Sequence, residues 1–313
     1  MSSRRRAVLA PDRAMLKAGV VMDAEVKAFL ARANRLMERL EPLLPATREA
    51  IDWNTSLAAR WHREGHGGYL QPLSVSLDLN LTDLIGIDRQ RGLLASNTRQ
   101  FVSGLPANHV LLWGSRGTGK SSLIRALLAE HAAAGLRLIE IERDYLADLP
   151  KVVEQLAGIP QCFVLFCDDL SFEAGEGDYR VLKSVLDGSL ERAPENVLLY
   201  ATSNRRHLVP ERASDNENWQ MVDGELHPNE AVEDKIALSD RFGLWLSFYP
   251  FSQEHYLSVV RHWIGSLGEQ AQLVWTWDEA LEKEAIRWAT ARGNRNGRCA
   301  YQFARQWVGT QLL

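Results

Sequence analysis

The chain has 313 residues, 46% of them hydrophobic, with a formal net charge of −4 and an isoelectric point near 6.1, which suits one large or two ordinary domains with real cores. This charge speaks against a polyanion as the bulk partner, leaving nucleic acid possible through a local patch but not indicated. The three cysteines, Cys162, Cys167 and Cys299, are too few and wrongly spaced for a zinc site or a disulfide framework, and Asp12 and Arg13 interrupt the stretch after Arg4-Arg5-Arg6 before any long apolar run develops. A cytoplasmic chain without membrane association is the expectation.

From Asp23 to Leu40 the apolar positions Val26, Phe29, Leu30, Ala33, Met37 and Leu40 share one helical face, with Asp23 placed as the cap and Pro42 and Pro45 beyond the end. A second helix is expected from about Thr47 to Arg63, closed by Gly65, Gly67 and Gly68, and the alternation Leu73-Ser74-Val75-Ser76-Leu77 predicts a short strand. These pieces make a mainly helical N-terminal module, residues 1–80, whose helices serve either as core or as a partner surface. Leu81 to Asp88 then leads into a helix through Phe101-Val102, ended by Gly104 and Pro106, and a second domain over residues 81–250 begins here.

The apolar run His109 to Trp113 reads as a strand followed directly by Gly114-Ser115-Arg116-Gly117-Thr118-Gly119-Lys120-Ser121. The spacing Gly-x-x-x-x-Gly-Lys-Ser is that of a P-loop: a tight turn whose backbone N–H groups converge on phosphate oxygens without side-chain obstruction. Ser122 to His131 reads as the helix whose positive N-terminal end faces the same phosphates. Lys120 would neutralise the β- and γ-phosphates of ATP and Ser121 would ligate Mg²⁺. Just upstream, Ile85 and Ile87 either pack on the adenine ring or anchor a linker in the core.

Leu136 to Ile141 alternates like a second strand, and Asp144 to Leu156 reads as helix. Cys162 to Cys167 is a strand buried on both faces that ends in Asp168-Asp169, a Walker B pattern placed where a parallel strand opens on the ligand crevice. Asp168 would hold Mg²⁺, and Asp169 would orient or deprotonate the attacking water, the alternative being simple turn formers. Val197 to Asn204 is another buried strand; Asn204 either holds a water in line with the γ-phosphate or makes a turn, and Arg205 and Arg206 after it are surface ion pairs or phosphate sensors. Residues 211–240 are markedly acidic and read as a solvated surface insertion. Leu244 to Phe248 is the fifth strand, so the domain is α/β. Beyond Pro250 a helical lid, residues 251–313, follows: one helix from Ser252, one opened by a capping box Thr276-x-x-Glu279, and one after Gly297, with Trp263, Trp275, Trp277, Trp288 and Trp307 as its core.

In this order the P-loop, Walker B, strand-end Asn204, an arginine before the fifth strand and a helical lid resemble the AAA+ family of P-loop ATPases from about Leu81 to the C-terminus. The phrases Asn108 to Lys120, Phe166 to Phe172 and Ala201 to Leu208 are similar to a bacterial AAA+ subfamily known only as predicted ATPases. The resemblance implies a five-stranded parallel sheet of order 5-1-4-3-2. It also makes Asn204 sensor 1, Arg241 an arginine finger that reaches the γ-phosphate in a neighbouring subunit, and Arg298 the sensor 2 of the lid. The chain departs from the family in carrying Asp-Asp where most members have Asp-Glu, which puts the rate in doubt. It also lacks an aromatic-apolar-Gly pore loop: Tyr145-Leu146-Ala147 comes nearest without the glycine.

The expected function is therefore a Mg²⁺-dependent ATPase, working as a homo-oligomer, that remodels or loads an unidentified protein client. The alternative is a slowly hydrolysing, nucleotide-gated adaptor or loader acting as a switch. A small-molecule kinase fits poorly, since it leaves Asn204, Arg241 and Arg298 without roles.

Overall fold

The computed structural model describes residues 26–37, 39, 50–65, 67–171, 178–187, 194–205, 208, 220–222, 225–227, 238 and 240–313. No helix among them is long and apolar enough to cross a membrane. The chain divides between Ala50 and Ile51 into two compact units. In the first unit residues 26–37 are helical, as their spacing predicts, but Val26, Phe29, Leu30 and Met37 are exposed. The cap read at Asp23 and the stops at Pro42 and Pro45 lie outside the described residues.

The strands of the second unit are β1 Ala58–Glu64, β2 Gly67–Leu73, β3 Val110–Gly114, β4 Leu136–Glu140, β5 Cys162–Cys167, β6 Val197–Ser203, β7 Gln220–Val222, β8 Glu225–His227 and β9 Leu244–Phe248. Within the acidic segment β7 and β8 pair antiparallel in a separate two-stranded sheet. The other seven form one sheet of order β2-β1-β4-β5-β6-β3-β9. In it β3, β4, β5, β6 and β9 are the five strands expected, all parallel. Numbered one to five along the chain, they stand in the order 5-1-4-3-2 that the resemblance implies. They are near-continuous apolar runs because both faces are covered, and period-two alternation sends successive residues to opposite cores. Leu111, Leu165, Leu199 and Ala201 join one cluster with the helices Leu149–Leu156 and Asp178–Asp187. Val110, Leu112, Val164, Phe166 and Tyr200 join another with the helices Asp88–Val102 and Lys120–His131.

Of the helix expected over Thr47–Arg63, the described residues 50–63 are not helical, and the strand expected over 73–77 lies earlier. Ala58–Glu64 pairs parallel with β4, Ala58 opposite Leu138, and antiparallel with Gly67–Leu73 across a turn in which Gly65 has φ +56°. The glycines read as a helix stop are thus a hairpin turn and the start of its second strand. Trp61 explains the outcome: its ring is completely buried, and Gly68 lies under it so closely that a Cβ there would come within 2.1 Å of the ring. Burying an indole against the open side of β4 outweighs a local preference for helix that amounts to tenths of a kcal/mol per residue, roughly.

The helix read over Asp144–Leu156 is a 3-10 segment, Arg143–Asp148, followed by an α-helix, Leu149–Leu156; Pro150 has no N–H to donate and fits only the first turn of the latter. Tyr145 packs against the first core cluster, with Arg63 5.2 Å over its ring, and Leu146 is buried.

The lid consists of three helices, Gln253–Gln270, Glu279–Ala291 and Gly297–Gln311. They enclose their own core of Tyr256, Val260, Ile264, Leu281, Ala285 and Phe303, with the five expected tryptophans packed around it. Ser252 caps the first helix by accepting the His255 N–H. The second is capped by Asp278, whose carboxylate accepts the Leu281 N–H at 2.8 Å, in place of the Thr276–Glu279 box: the helix starts at Glu279, so the cap position belongs to its predecessor.

Candidate functional site

Sheet register brings the sequence-predicted residues to one place. β3 lies between β9 and β6, with Gly114 opposite Phe248 and Trp113 opposite Ser203, so the loop after β3 opens beside Asn204. β5 flanks β6 with Cys167 opposite Ala201, which sets Asp168 beside Thr202. Three adjacent parallel strands therefore deliver the loop, the two carboxylates and the amide to their common C-terminal edge, where ligands of open α/β sheets bind.

The loop's turn depends on its first glycine. Gly114 has φ +130°, and a Cβ on it would lie 2.0 Å from the Phe248 carbonyl oxygen, which instead accepts the Ser115 N–H at 3.0 Å. Thr118 closes the turn from within, its hydroxyl donating to the Ser115 carbonyl at 2.8 Å. Ser121 and Ser122 lie in the first turn of the helix that begins at Lys120, so their N–H groups belong to its positive end.

Lys120 is 7% exposed, and its ammonium folds back into the loop, donating to the Gly114 and Ser115 carbonyls at 2.8 Å each and to Asn204 Oδ1 at 3.4 Å. Burial lowers its pKa from the ordinary lysine value, an effect opposed by the charges of Asp168 and Asp169 and reinforced by Arg116. Ser121 Oγ donates to Asp168 Oδ1 at 2.7 Å, and the Thr202 hydroxyl donates to the same oxygen.

Asp169 adopts a left-handed backbone, φ +54°, a conformation that aspartate tolerates better than most residues. Its N–H donates to Thr202 Oγ1 at 2.9 Å, and the next N–H, of Leu170, donates to the Thr202 carbonyl at 2.7 Å. The Asp169 carboxylate accepts a hydrogen bond from Asn204 Nδ2 and lies 3.6 Å from the Arg116 guanidinium.

Not every expected residue converges. Ile85 packs against the lid core and its carbonyl is hydrogen-bonded to His255 Nε2 at 2.8 Å; Leu84 and Ile87 are the side chains that face the loop, at Gly119. Arg298 is exposed at the start of the third lid helix, where its backbone N–H donates to the Gly117 carbonyl at 3.3 Å. Arg241 stands apart from its own loop. It precedes β9, whose first residue, Leu244, pairs with Val110 at the N-terminal end of β3, so about 13 Å of strand rise separates its end of the sheet from Gly114. Arg206 lies outside the described residues.

Two further residues belong to this site. Thr202 sits two positions before Asn204, on the same side of β6, and its hydroxyl joins Asp168 to the Asp169 backbone; period-two spacing was the available signal. Asn296 caps the third lid helix by accepting the Cys299 N–H at 2.9 Å and donates from Nδ2 to the Arg116 carbonyl at 3.1 Å. No local pattern announces that second contact, which spans 180 positions of chain.

Among solved structures the chain is similar to a point mutant of Thermotoga maritima RuvB, at 14% identity over 72% of this chain and 64% of that one, with a TM-score of 0.48. The Aeropyrum pernix Orc1 protein in complex with DNA is similar at 14% identity over 71% and 61%, TM-score 0.48, and the T. maritima RuvB Holliday junction branch migration motor at 15% over 72% and 71%, TM-score 0.42. The chain thus spans a little under two thirds of the first two. No curated protein matches it in sequence. Residues 54–311, from just before β1 to the end of the last lid helix, match the family described as Protein of unknown function (DUF815), and the chain, an α/β fold with AAA+ strand order, belongs to that family.

Proposed function

We propose that this protein is a Mg²⁺-dependent AAA+ ATPase that hydrolyses ATP to ADP and phosphate, works in the cytoplasm as a homo-oligomer and acts on a protein client. The observation that carries this reading is the convergence of Lys120, Ser121, Asp168, Asp169 and Asn204 on one loop from three neighbouring strands. Ser121 Oγ and Asp168 Oδ1 offer a hydroxyl and a carboxylate together, hard oxygen donors suited to Mg²⁺. Bound there, Mg²⁺ would offset the charge of the triphosphate.

The chain's own groups divide the remaining work. Backbone N–H groups of 114–121 cradle the phosphates, Lys120 adds its charge to them, Asn204 orients the attacking water and Asp169 accepts its proton. Aspartate is one methylene shorter than the glutamate usual here, and the Thr202 hydroxyl fixes the left-handed backbone from which it reaches in.

Equilibrium ATP binding and phosphate release test this assignment. Lys120→Ala is expected to abolish binding, whereas Asp169→Asn should keep it and lose phosphate release by about 10² or more. Wild-type turnover in Asp169→Asn would remove Asp169 from its role, and well-folded protein with no affinity for ATP and Mg²⁺ would end the reading.

A slow nucleotide-gated switch is the second reading, favoured by one observation: the Asp169 carboxylate is already engaged by Asn204 and Arg116. Low basal turnover that rises sharply with a client would support it, and high turnover of the protein alone would exclude it.

A further inference from the structure

The inner face of the 114–121 loop offers N–H groups to phosphate, while its outer face is held by the lid. Asn296 Nδ2 donates to the Arg116 carbonyl at 3.1 Å, and the Arg298 N–H donates to the Gly117 carbonyl at 3.3 Å. The approach is close enough to exclude side chains: a Cβ on Gly117, which has φ +74°, would meet the Asn296 amide at 2.7 Å, and one on Gly297 would lie 3.1 Å from the Gly117 carbonyl oxygen. A trans peptide unit is planar, and its C=O and N–H point in opposite directions. Fixing the Arg116 carbonyl outward therefore fixes the Gly117 N–H inward, and fixing the Gly117 carbonyl does the same for the Thr118 N–H.

We propose that Asn296 is a positioning residue for nucleotide binding, which aims the Gly117 N–H at the phosphates by holding the Arg116 carbonyl from the lid side. The inference rests on the reading of 114–121 as a phosphate-binding loop and adds that its anion hole is completed from outside by the lid. In the unliganded loop an unanchored peptide is free to turn its N–H to water, and binding then includes the cost of turning it back. With Asn296 in place that ordering is already done, so its contribution falls on affinity for phosphate and not on the chemical step. Its other contact, with the Cys299 N–H, is an ordinary helix cap.

Substitution separates the two roles. Asn296→Ser keeps a good capping oxygen but cannot extend a donor to the Arg116 carbonyl; Asn296→Ala loses both. ADP titrated calorimetrically into full-length protein is expected to bind about tenfold more weakly to both variants, the scale of one hydrogen bond. The serine variant should keep the wild-type melting temperature and, at saturating ATP, wild-type kcat. Amide exchange across residues 114–119 should be faster than wild type in both variants without nucleotide. Wild-type ADP affinity and exchange in Asn296→Ser would reduce Asn296 to a cap and overturn the proposal, as would a fall in its kcat at unchanged affinity. Unmutated protein that binds no ADP would overturn the phosphate-loop reading and this inference with it, so the two failures are told apart before any variant is made.

Discussion

His109 shows how one side chain ties stability to pH. It precedes β3, and its Nδ1 accepts the Leu199 N–H at 3.0 Å, linking the P-loop strand to β6. An accepting imidazole must be neutral, and burial pushes its pKa down from 6.5 to about 4. The unfolded chain takes up this proton near pH 6.5 and the folded one only near pH 4, so the contribution is fully present above about pH 6.5 and is lost progressively as the pH falls to about 4. Its ceiling is about 3 kcal/mol. Urea unfolding of the wild type is expected to weaken from pH 7 to pH 4.5, and His109→Gln should remove much of that slope while lowering stability at pH 7. An unchanged slope would refute the assignment. Legibility at this scale follows chemistry: Lys120, Ser121, Asp168 and Asp169 stand in the spacings from which the sequence suggests a phosphate site. Thr202 and Asn296 are ordinary residues whose roles come from what lies across from them.

Among the elements, the β1–β2 hairpin is where local pattern and final structure part. Trp61 is buried, its indole N–H donates to Asp148 Oδ2 at 3.2 Å, and Arg63 and Lys151 bind the same carboxylate at 2.7 and 3.1 Å. The hairpin is thereby fastened both to β4 and to the turn before the helix Leu149–Leu156. Trp61→Ala is expected to cost about 3–5 kcal/mol, and Gly68→Ala about 1–3 kcal/mol because the new methyl enters the ring's space. Urea midpoints at constant m-value measure both, and a Gly68→Ala protein as stable as wild type would contradict the packing. Small and apolar residues in Ala58 to Trp61 satisfy a helical period as readily as a strand, and only the unpaired edge of β4 decides between them. Strands β3, β5 and β6 were legible because their apolar runs are too short for a buried helix and end in turn-forming Gly, Asp or Asn.

For the whole molecule, the position of Arg241 supports the proposal that the catalytic site is completed by assembly. Register holds it at the opposite end of β9 from its own P-loop, so a finger role requires a neighbouring subunit. Turnover per subunit should rise with protein concentration, and Arg241→Ala should lose about 10³-fold or more at concentrations where the wild type assembles. Mixing Arg241→Ala with Lys120→Ala should restore part of the activity, since each Lys120→Ala subunit supplies a finger to an intact loop; no recovery, or full activity in Arg241→Ala alone, would sink the shared site. Asp169→Asn held with ATP should retain the client, and a capture identical without nucleotide would exclude ATP-dependent engagement. By itself the sequence determined the class of fold, because strands buried on both faces and the tight turns after them are imposed by neighbours along the chain; the order of the five central strands came from the resemblance to the AAA+ family, and the phosphate chemistry of 114–121 remains a proposal. The hairpin that extends the sheet, which of Ile85 and Ile87 faces the loop, and the lid's grip on the Arg116 and Gly117 carbonyls were decided only by tertiary structure. Each is a contact between segments far apart in the chain, chosen by which surface was left uncovered when the rest had packed.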